Sequence, residues 1–277
     1  MRKKFSYCEK YSEKVELYLN NHEIKYKTVG DGILVPKLIS FAVYDGVASA
    51  PEFRQLIHGK PIVTNEFTQK ELNAAGYLTM RPQKNIVNIA NANEAFLYKC
   101  QRKSLFGVEK FSHKEQVGLI RVKKFNLKGT TYFFSPTTGF SEIFAKDSIS
   151  DFIKDQNVTG MEVRPVLLDE RNHEMESGLC QLWSKKTIPK NMIFLDEKQA
   201  IEKCPVCGSS KILCKQDFQL QLVGSISDLS DDFCMTEAIF GEGISYPLYI
   251  VSQRLFRLFV RTGMSRNVVF EPVLFRD

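Results

Sequence analysis

From Tyr249 the chain sets three apolar residues, Tyr249, Ile250 and Val251, ahead of a serine. Aromatic and β-branched residues in a row favour an extended strand. Ser252 carries the hydroxyl that accepts a hydrogen bond from a backbone N–H two or three residues on, which opens a helix. Leu255, Leu258 and Phe259 then recur three and four positions apart, the apolar face of that helix. Gly263 supplies the positive φ that ends it cheaply, and Val268, Phe270 and Val273 follow in a strand whose course is broken by Pro272. The pattern predicts strand, short helix, strand over 250–275.

The same pattern runs over 144–168. Phe144 and Ala145 are the apolar pair, Asp147 or Ser148 is the cap, and Ile149, Phe152 and Ile153 are the helical face. Gly160 ends the helix, and Met161, Val163 and Val166 surround Pro165. With one gap, Val163 to Val166 aligns on Phe270 to Val273. A weaker first copy opens at Ile62-Val63-Thr64, turns at Gly76 and closes at Met80-Arg81-Pro82. Units of this kind need neighbours to cover their apolar faces, and by themselves they supply no catalytic group.

Elsewhere, 11–21 suits a helix, although Val15, Leu17 and Leu19 do not share one clear face. Residues 32–46 are strand-like. Residues 117–136 alternate and turn at Lys128-Gly129, a hairpin signal. Residues 93–107 have no clean period and are assigned to no element. The fold expected is α+β: mixed, largely antiparallel sheets with short helices, built partly from repeated strand–helix–strand units. The expected boundary lies near 137–139. It separates an N-terminal α+β domain, 1–138, carrying the first copy, from a C-terminal α+β domain, 139–277, carrying two copies and a CxxC knuckle.

Hydrophobic content of 43% and charged content of 25% are those of a folded, water-soluble chain. The basic start, MRKKFSYCEKYSEK, has no apolar run behind it, so no secretory signal is read there. The most apolar stretch, 33–44, carries Pro36 and Lys37 and is too short to span a bilayer. The expectation is a cytoplasmic protein that engages no membrane. The 7 cysteines, an odd number spread from Cys8 to Cys234, fit reduced thiols better than a disulfide framework.

The net charge of +6 is unevenly spread. From Asp217 to Gln253 there is no Lys or Arg, so the rest of the chain carries about +12 on the same count. The basic residues are scattered among acidic ones without a stripe, and nucleic acid is not an expected partner. The biased segment is the negative one. Residues 225–242 are expected to lie exposed and to bind a partner through Asp228, Asp231, Asp232, Glu237 and Glu242.

The sharpest local motif is CPVCGSSKILC, 204–214. A C-x-x-C followed by Gly has the shape of a zinc knuckle, in which two thiolates converge on the metal. Zinc is the cofactor expected there, on Cys204, Cys207 and Cys214, with Cys180, Cys234 or His173 as further ligand candidates. The alternatives are a knuckle that has lost its metal and, least favoured, a redox dithiol. The 4 histidines have no paired spacing, and Gly241-Glu242-Gly243 lacks the Lys-Ser/Thr of a phosphate loop. With no catalytic constellation, an enzyme is not expected.

Three stretches in a fixed order, TGMEVRPV, CPVCGSS and PLYIVSQRLFRLF closing on VVFEPV, resemble bacterial polymorphic-toxin immunity proteins of the double-CxxCG family. The resemblance covers about 140–275, and one CxxCG is present here. It implies a protein that binds and neutralises a cognate toxin domain. The acidic segment would then meet a basic toxin, since opposite fields speed encounter and help select the partner. The rival expectations are a zinc-knuckle nucleic-acid-binding or adaptor protein and an enzyme with a dispersed site.

Overall fold

Tyr7, Ile39, Phe41 and Val43 occupy alternate positions of two neighbouring segments, and all of them are buried. The computed structural model describes the chain except 31–35, 104–108, 126–128, 138–141, 171–172, 197–198, 205, 209, 215–217, 242–245 and 277. At 99–103, 109–113 and 173–174 it describes the backbone alone. The chain forms two units, Met1–Glu71 with Lys215–Phe218, and Leu72–Cys214 with Gln219–Asp277.

The first unit runs β1 (Arg2–Lys10), α1 (Glu13–Asn21), β2 (Tyr26–Val29), β3 (Leu38–Tyr44), α2 (Asp45–Ala48), α3 (Pro51–Leu56) and β4 (Ile62–Glu66). The sheet order is β2-β3-β1-β4, antiparallel at every pairing. Strands joined through helices therefore run parallel, each pair with one antiparallel strand between them. This is the ferredoxin-like split β-α-β topology. The helices cover the face that carries Tyr7, Ile39, Phe41 and Val43, and Phe53 inserts between them. On α1, Val15 and Leu19 are buried while Leu17 points outward, 62% exposed.

The chain passes to the second unit within α4 (Gln69–Ala74). There follow β5 (Tyr77–Pro82), β6 (Asn85–Val87), α5 (Ala92–Ala95), β7 (Phe96–Lys103), β8 (Glu109–Gln116), β9 (Ile120–Val122) and β10 (Phe133–Pro136). The next stretch is β11 (Ile143–Lys146), α6 (Ile149–Asp155), β12 (Met161–Glu170), β13 (His173–Ser184) and β14 (Thr187–Ile188). The last is β15 (Ala200–Lys203), β16 (Ser210–Leu213), β17 (Gln221–Val223), β18 (Phe233–Thr236), β19 (Ile239–Phe240), β20 (Tyr249–Ser252), α7 (Gln253–Arg261), β21 (Val268–Pro272) and β22 (Leu274–Arg276). Among the described residues no helix is long and apolar enough to cross a membrane.

One sheet has the order β6-β10-β11-β13-β12-β9. Beyond Val87 the same segment turns onto β9. Ile89 bridges Val122, Ala90 N–H donates to the Arg121 carbonyl at 2.8 Å, and Lys123 N–H donates to the Asn88 carbonyl at 2.9 Å. The sheet thereby closes into a small barrel. Its interior is filled by Val87, Ile120, Val122, Phe134, Phe144, Val166 and Leu179, with Phe96 as a plug. The alternate residues Phe133, Ile143, Ala145, Cys180 and Leu182 face outward into a second core.

That second core is shared with the other large sheet, β14-β18-β20-β5-β21, and with α6 and α7. From α7 it receives Leu255, Phe256, Leu258 and Phe259, each worth about 1.5–3 kcal/mol when fully buried. Phe259 lies 5.0 Å from Phe133 across the sheet–helix boundary, and Phe256 lies 5.0 Å from Phe270.

The fold is α+β, and the repeated units are present. In β11-α6-β12 the two strands flank β13, and in β20-α7-β21 they flank β5, in both cases antiparallel to the strand between. The copies lie in two sheets rather than one. Pro165 sits at a register shift of β12, and Pro272 ends β21. The first copy is also strand, helix, strand, yet β4 pairs with β1 and β5 with β20 and β21.

Several expectations need correction. Residues 117–136 form no hairpin: β9 pairs with β12, and β10 with β6 and β11, because each is needed to close the barrel. The proposed turn residue Lys128 lies outside the described residues, as do 32–35 of the expected strand. The division between units falls at 71/72, not near 138, where β10 and β11 pair as neighbours in one sheet. Ser252 caps α7 by accepting from Leu255 N–H at 3.1 Å, whereas Ser148 has helical backbone angles and caps nothing. The unassigned stretch 93–107 contains β7, paired with β8.

Gly160 and Gly263 hold equivalent places, with φ of +74° and +73°, but unequal space. A Cβ on Gly160 would strike the Phe233 carbonyl oxygen and lie 2.8 Å from Asp231 Cβ, while one on Gly263 meets nothing within 4 Å. Gly263→Ala is expected to cost about 1 kcal/mol for the left-handed backbone alone. Gly160→Ala should cost at least about 3 kcal/mol, because β18 itself has to shift. Urea denaturation of the two variants checks the difference.

Candidate functional site

Asp232 stands at the start of β18, 7% exposed, where three pieces of chain meet. Ser252 Oγ donates to its Oδ1 at 2.6 Å, and Arg254 Nε donates to the same oxygen at 3.0 Å. Thr159 donates to Oδ2 from N–H at 3.1 Å and from its hydroxyl at 3.2 Å, and Arg254 Nη2 also reaches Oδ2. The guanidinium goes on to the carbonyls just past the end of α6, donating to Gln156 O and Asn157 O at 3.0 Å each. A carboxylate thus sits at the N-terminus of α7 and a cation at the C-terminus of α6, the arrangement helix dipoles favour.

Burial would raise the Asp232 pKa, but hydrogen bonds from Arg254, Ser252 and the Thr159 amide outweigh it and hold the carboxyl below its ordinary value. The same pair raises the Arg254 pKa. Over the described residues the expectation that 225–242 lies exposed therefore holds for most of 225–230 and for Glu237, and fails elsewhere. Phe233, Cys234 and Thr236 are buried because β18 is an inner strand between β14 and β20, and Ala238 and Phe240 are buried where β19 pairs with β16. Asp232 is a joint of the scaffold.

The other acidic candidates differ among themselves. Asp228 is exposed and closes a capping box, its Oδ2 accepting from Ser225 N–H at 2.7 Å. Asp231 is half-buried against Gly160. Glu237 is exposed and pairs with Lys190, accepting from its N–H at 3.2 Å with the ammonium 3.8 Å away. Glu242 lies outside the described residues. What remains at the surface is a short acidic turn, 225–231, with Ile226 49% exposed on it.

The cysteine motif forms the loop of a hairpin, since Lys203 of β15 pairs with Ser210 of β16. Cys204 is 2% exposed, and Cys207 packs against it. Gly208, at φ +71°, donates its N–H to the Cys204 carbonyl at 2.9 Å and closes the turn. Two thiols on such a turn suit zinc. Cys214 lies one residue beyond β16, and among the described residues no group of three Cys, His, Asp or Glu is placed to hold a metal ion. Among the described side chains the knuckle brings two thiols together, Cys204 and Cys207. The His173 side chain lies outside the described residues. Burial first, and nearby carboxylates second, push the thiols of Cys180 and Cys234 up to about 12, which leaves them inert.

At the barrel end, Lys114 Nζ lies 3.2 Å from Glu142 Oε1 with both side chains nearly buried, and it stands 4.4 Å above the Phe96 ring. Beside it the amides of Gln116 and Gln181 exchange hydrogen bonds of 2.9 and 2.7 Å. Sequence reading missed these pairs because their partners are 28 and 65 residues apart. Arg254 was missed too, although its place two residues after a helix cap was visible. Comparison with protein-family models gives no match for this chain, and the curated proteins give none either.

The scaffold role of Asp232 has a pH signature. Its folded pKa lies below the unfolded value, so its contribution is present at neutral pH and is lost as pH falls below about 3.9. Asp232→Asn should lower stability at pH 7 by about 2–4 kcal/mol, less than for a fully buried pair because Arg254 is half exposed. Acid denaturation of this variant should be correspondingly flatter below about pH 4.

Proposed function

We propose that this chain is an immunity-type protein that binds and neutralises a cognate bacterial toxin domain in the cytoplasm, without catalysis of its own. The observation that carries the reading is the pre-ordered acidic turn 225–231. Its capping box is complete, and the Tyr77 hydroxyl donates to the Leu229 carbonyl beneath it. Ile226 rests on Gly76 on one side and is 49% exposed on the other. A turn fixed before encounter loses little freedom on binding. An apolar anchor flanked by Asp228 and Asp231 suits a basic partner, whose approach the carboxylates steer. The resemblance carried by TGMEVRPV, CPVCGSS and PLYIVSQRLFRLF points to the same class.

The test is to look for a toxin-like domain encoded beside this gene and to measure binding kinetics against it, with protection of cells expressing that domain in parallel. Asp228→Asn, Asp231→Asn and Glu237→Gln together keep the cap acceptor and remove the charge. They should slow association by about 10-fold at low salt, a difference that shrinks as salt is added. Ile226→Ala should speed dissociation. Wild type that neither binds nor protects overturns the function. Variants equal to wild type in both assays remove the turn from the interface.

A further inference from the structure

The helices of the first unit cover one face of its sheet, and strand alternation decides what the other face carries. From β1 it receives Arg2, Lys4, Ser6, Cys8 and Lys10. Register places Leu38, Ser40, Ala42 and Tyr44 of β3 opposite them on one side, and Ile62, Thr64 and Glu66 of β4 on the other. Lys27 and Val29 of β2 lie opposite Ser40 and Leu38. Cations that are scattered in sequence thus share one face. Arg2, Lys4, Lys10 and Lys27 stand there against one carboxylate, Glu66, which Lys4 meets at 2.9 Å.

The face is open. Arg2, Cys8, Lys10, Lys27 and Thr64 are exposed, and Tyr44, Val29 and Ile62 are 46%, 56% and 61% exposed. We infer that this sheet face binds single-stranded nucleic acid, through the sugar–phosphate backbone first and the bases second. This is independent of toxin binding by the acidic turn.

The distribution of groups selects the ligand. The cations stand at the rim, at both ends of β1 and on the outer strand β2, with a floor of Ser6, Cys8, Ser40 and Ala42 between them. Arg2 and Lys10 are separated by about 27 Å of strand, at about 3.4 Å per residue. A flexible strand with a charge on every nucleotide reaches all these cations at once. The small floor lets its backbone approach, and the hydroxyls of Ser6, Ser40 and Thr64 are donors of the kind that contact phosphate and sugar. Tyr44, steadied by donating to Glu66 Oε2 at 2.8 Å, offers a ring on which a base can stack. A duplex fits less well, because among the described residues this face carries no helix or strand ribbon that could enter a groove.

Fluorescence anisotropy of the full chain with labelled oligo(U) and oligo(dT) tests this. Both should bind, with a log–log salt slope near −0.7 per neutralised phosphate, about −3 for the four cations. Affinity should then fall about 50-fold between about 50 and 200 mM salt. Lys10→Gln with Lys27→Gln should about halve the slope, and Lys10→Glu with Lys27→Glu should weaken binding at least about 10-fold. Lys14→Glu, on α1 across the sheet, should change neither, and circular dichroism verifies folding of each variant. The inference is overturned by no binding at 50 mM salt, by an unchanged slope in the face variants, or by equal loss in Lys14→Glu. Tighter binding of duplex, equally tight binding of a polyglutamate peptide at matched charge, or a dimer that the face variants dissolve also overturns it.

Discussion

A carboxylate taken out of water needs its charge matched, and at Asp232 the match comes from two helix ends at once. Ser252 caps α7 and donates to the carboxylate, while Arg254 joins that carboxylate to the carbonyls just past the end of α6. Thr159 completes the joint from the link into β12. One side chain therefore ties together β18, the end of the α6 unit and the start of the α7 unit. The close approach of β18 explains why position 160 is glycine. The joint also decides which acidic residues remain for a partner.

Around it, packing follows from alternation. Phe133 and Phe134 are neighbours in β10 and belong to different cores, one facing the helices and one filling the barrel. The same holds for Ile143 and Phe144 in β11, and for Leu179 and Cys180 in β13. The barrel is thus a wall with two apolar sides, and α6 and α7 cover its outer side while packing against the second sheet. At the barrel end, the pairing of Lys114 with Glu142 and of Gln116 with Gln181 lets polar groups be buried without loss of their hydrogen bonds.

Charge is sorted by the same geometry. In the second unit, a run of five carboxylates without a cation resolves, over its described residues, into one buried joint, one cap, one surface ion pair and one residue against a glycine. In the first unit, cations interleaved with acidic and apolar residues are combed by the pleat of β1 and β2 onto one face. Sequence clustering and spatial clustering of charge are different quantities, and this chain separates them.

Local order was legible in the sequence where residues close along the chain decide the outcome. The strand–helix–strand units, the Ser252 cap, and the left-handed Gly160 and Gly263 all rest on interactions spanning a few residues. Pairing was not legible. The strands 117–136 alternate as a hairpin would, yet β9 and β10 bond to strands far along the chain, because closing a barrel satisfies more backbone groups than a local ribbon. The acidic segment read as solvated because Asp231-Asp232 lie in polar text; the buried position of Asp232 depends on Arg254 and Thr159, 22 and 73 residues away. Propensity and periodicity act over a turn or a strand, whereas register, burial and the sharing of a face are set by which strands meet, and only the tertiary structure decides that.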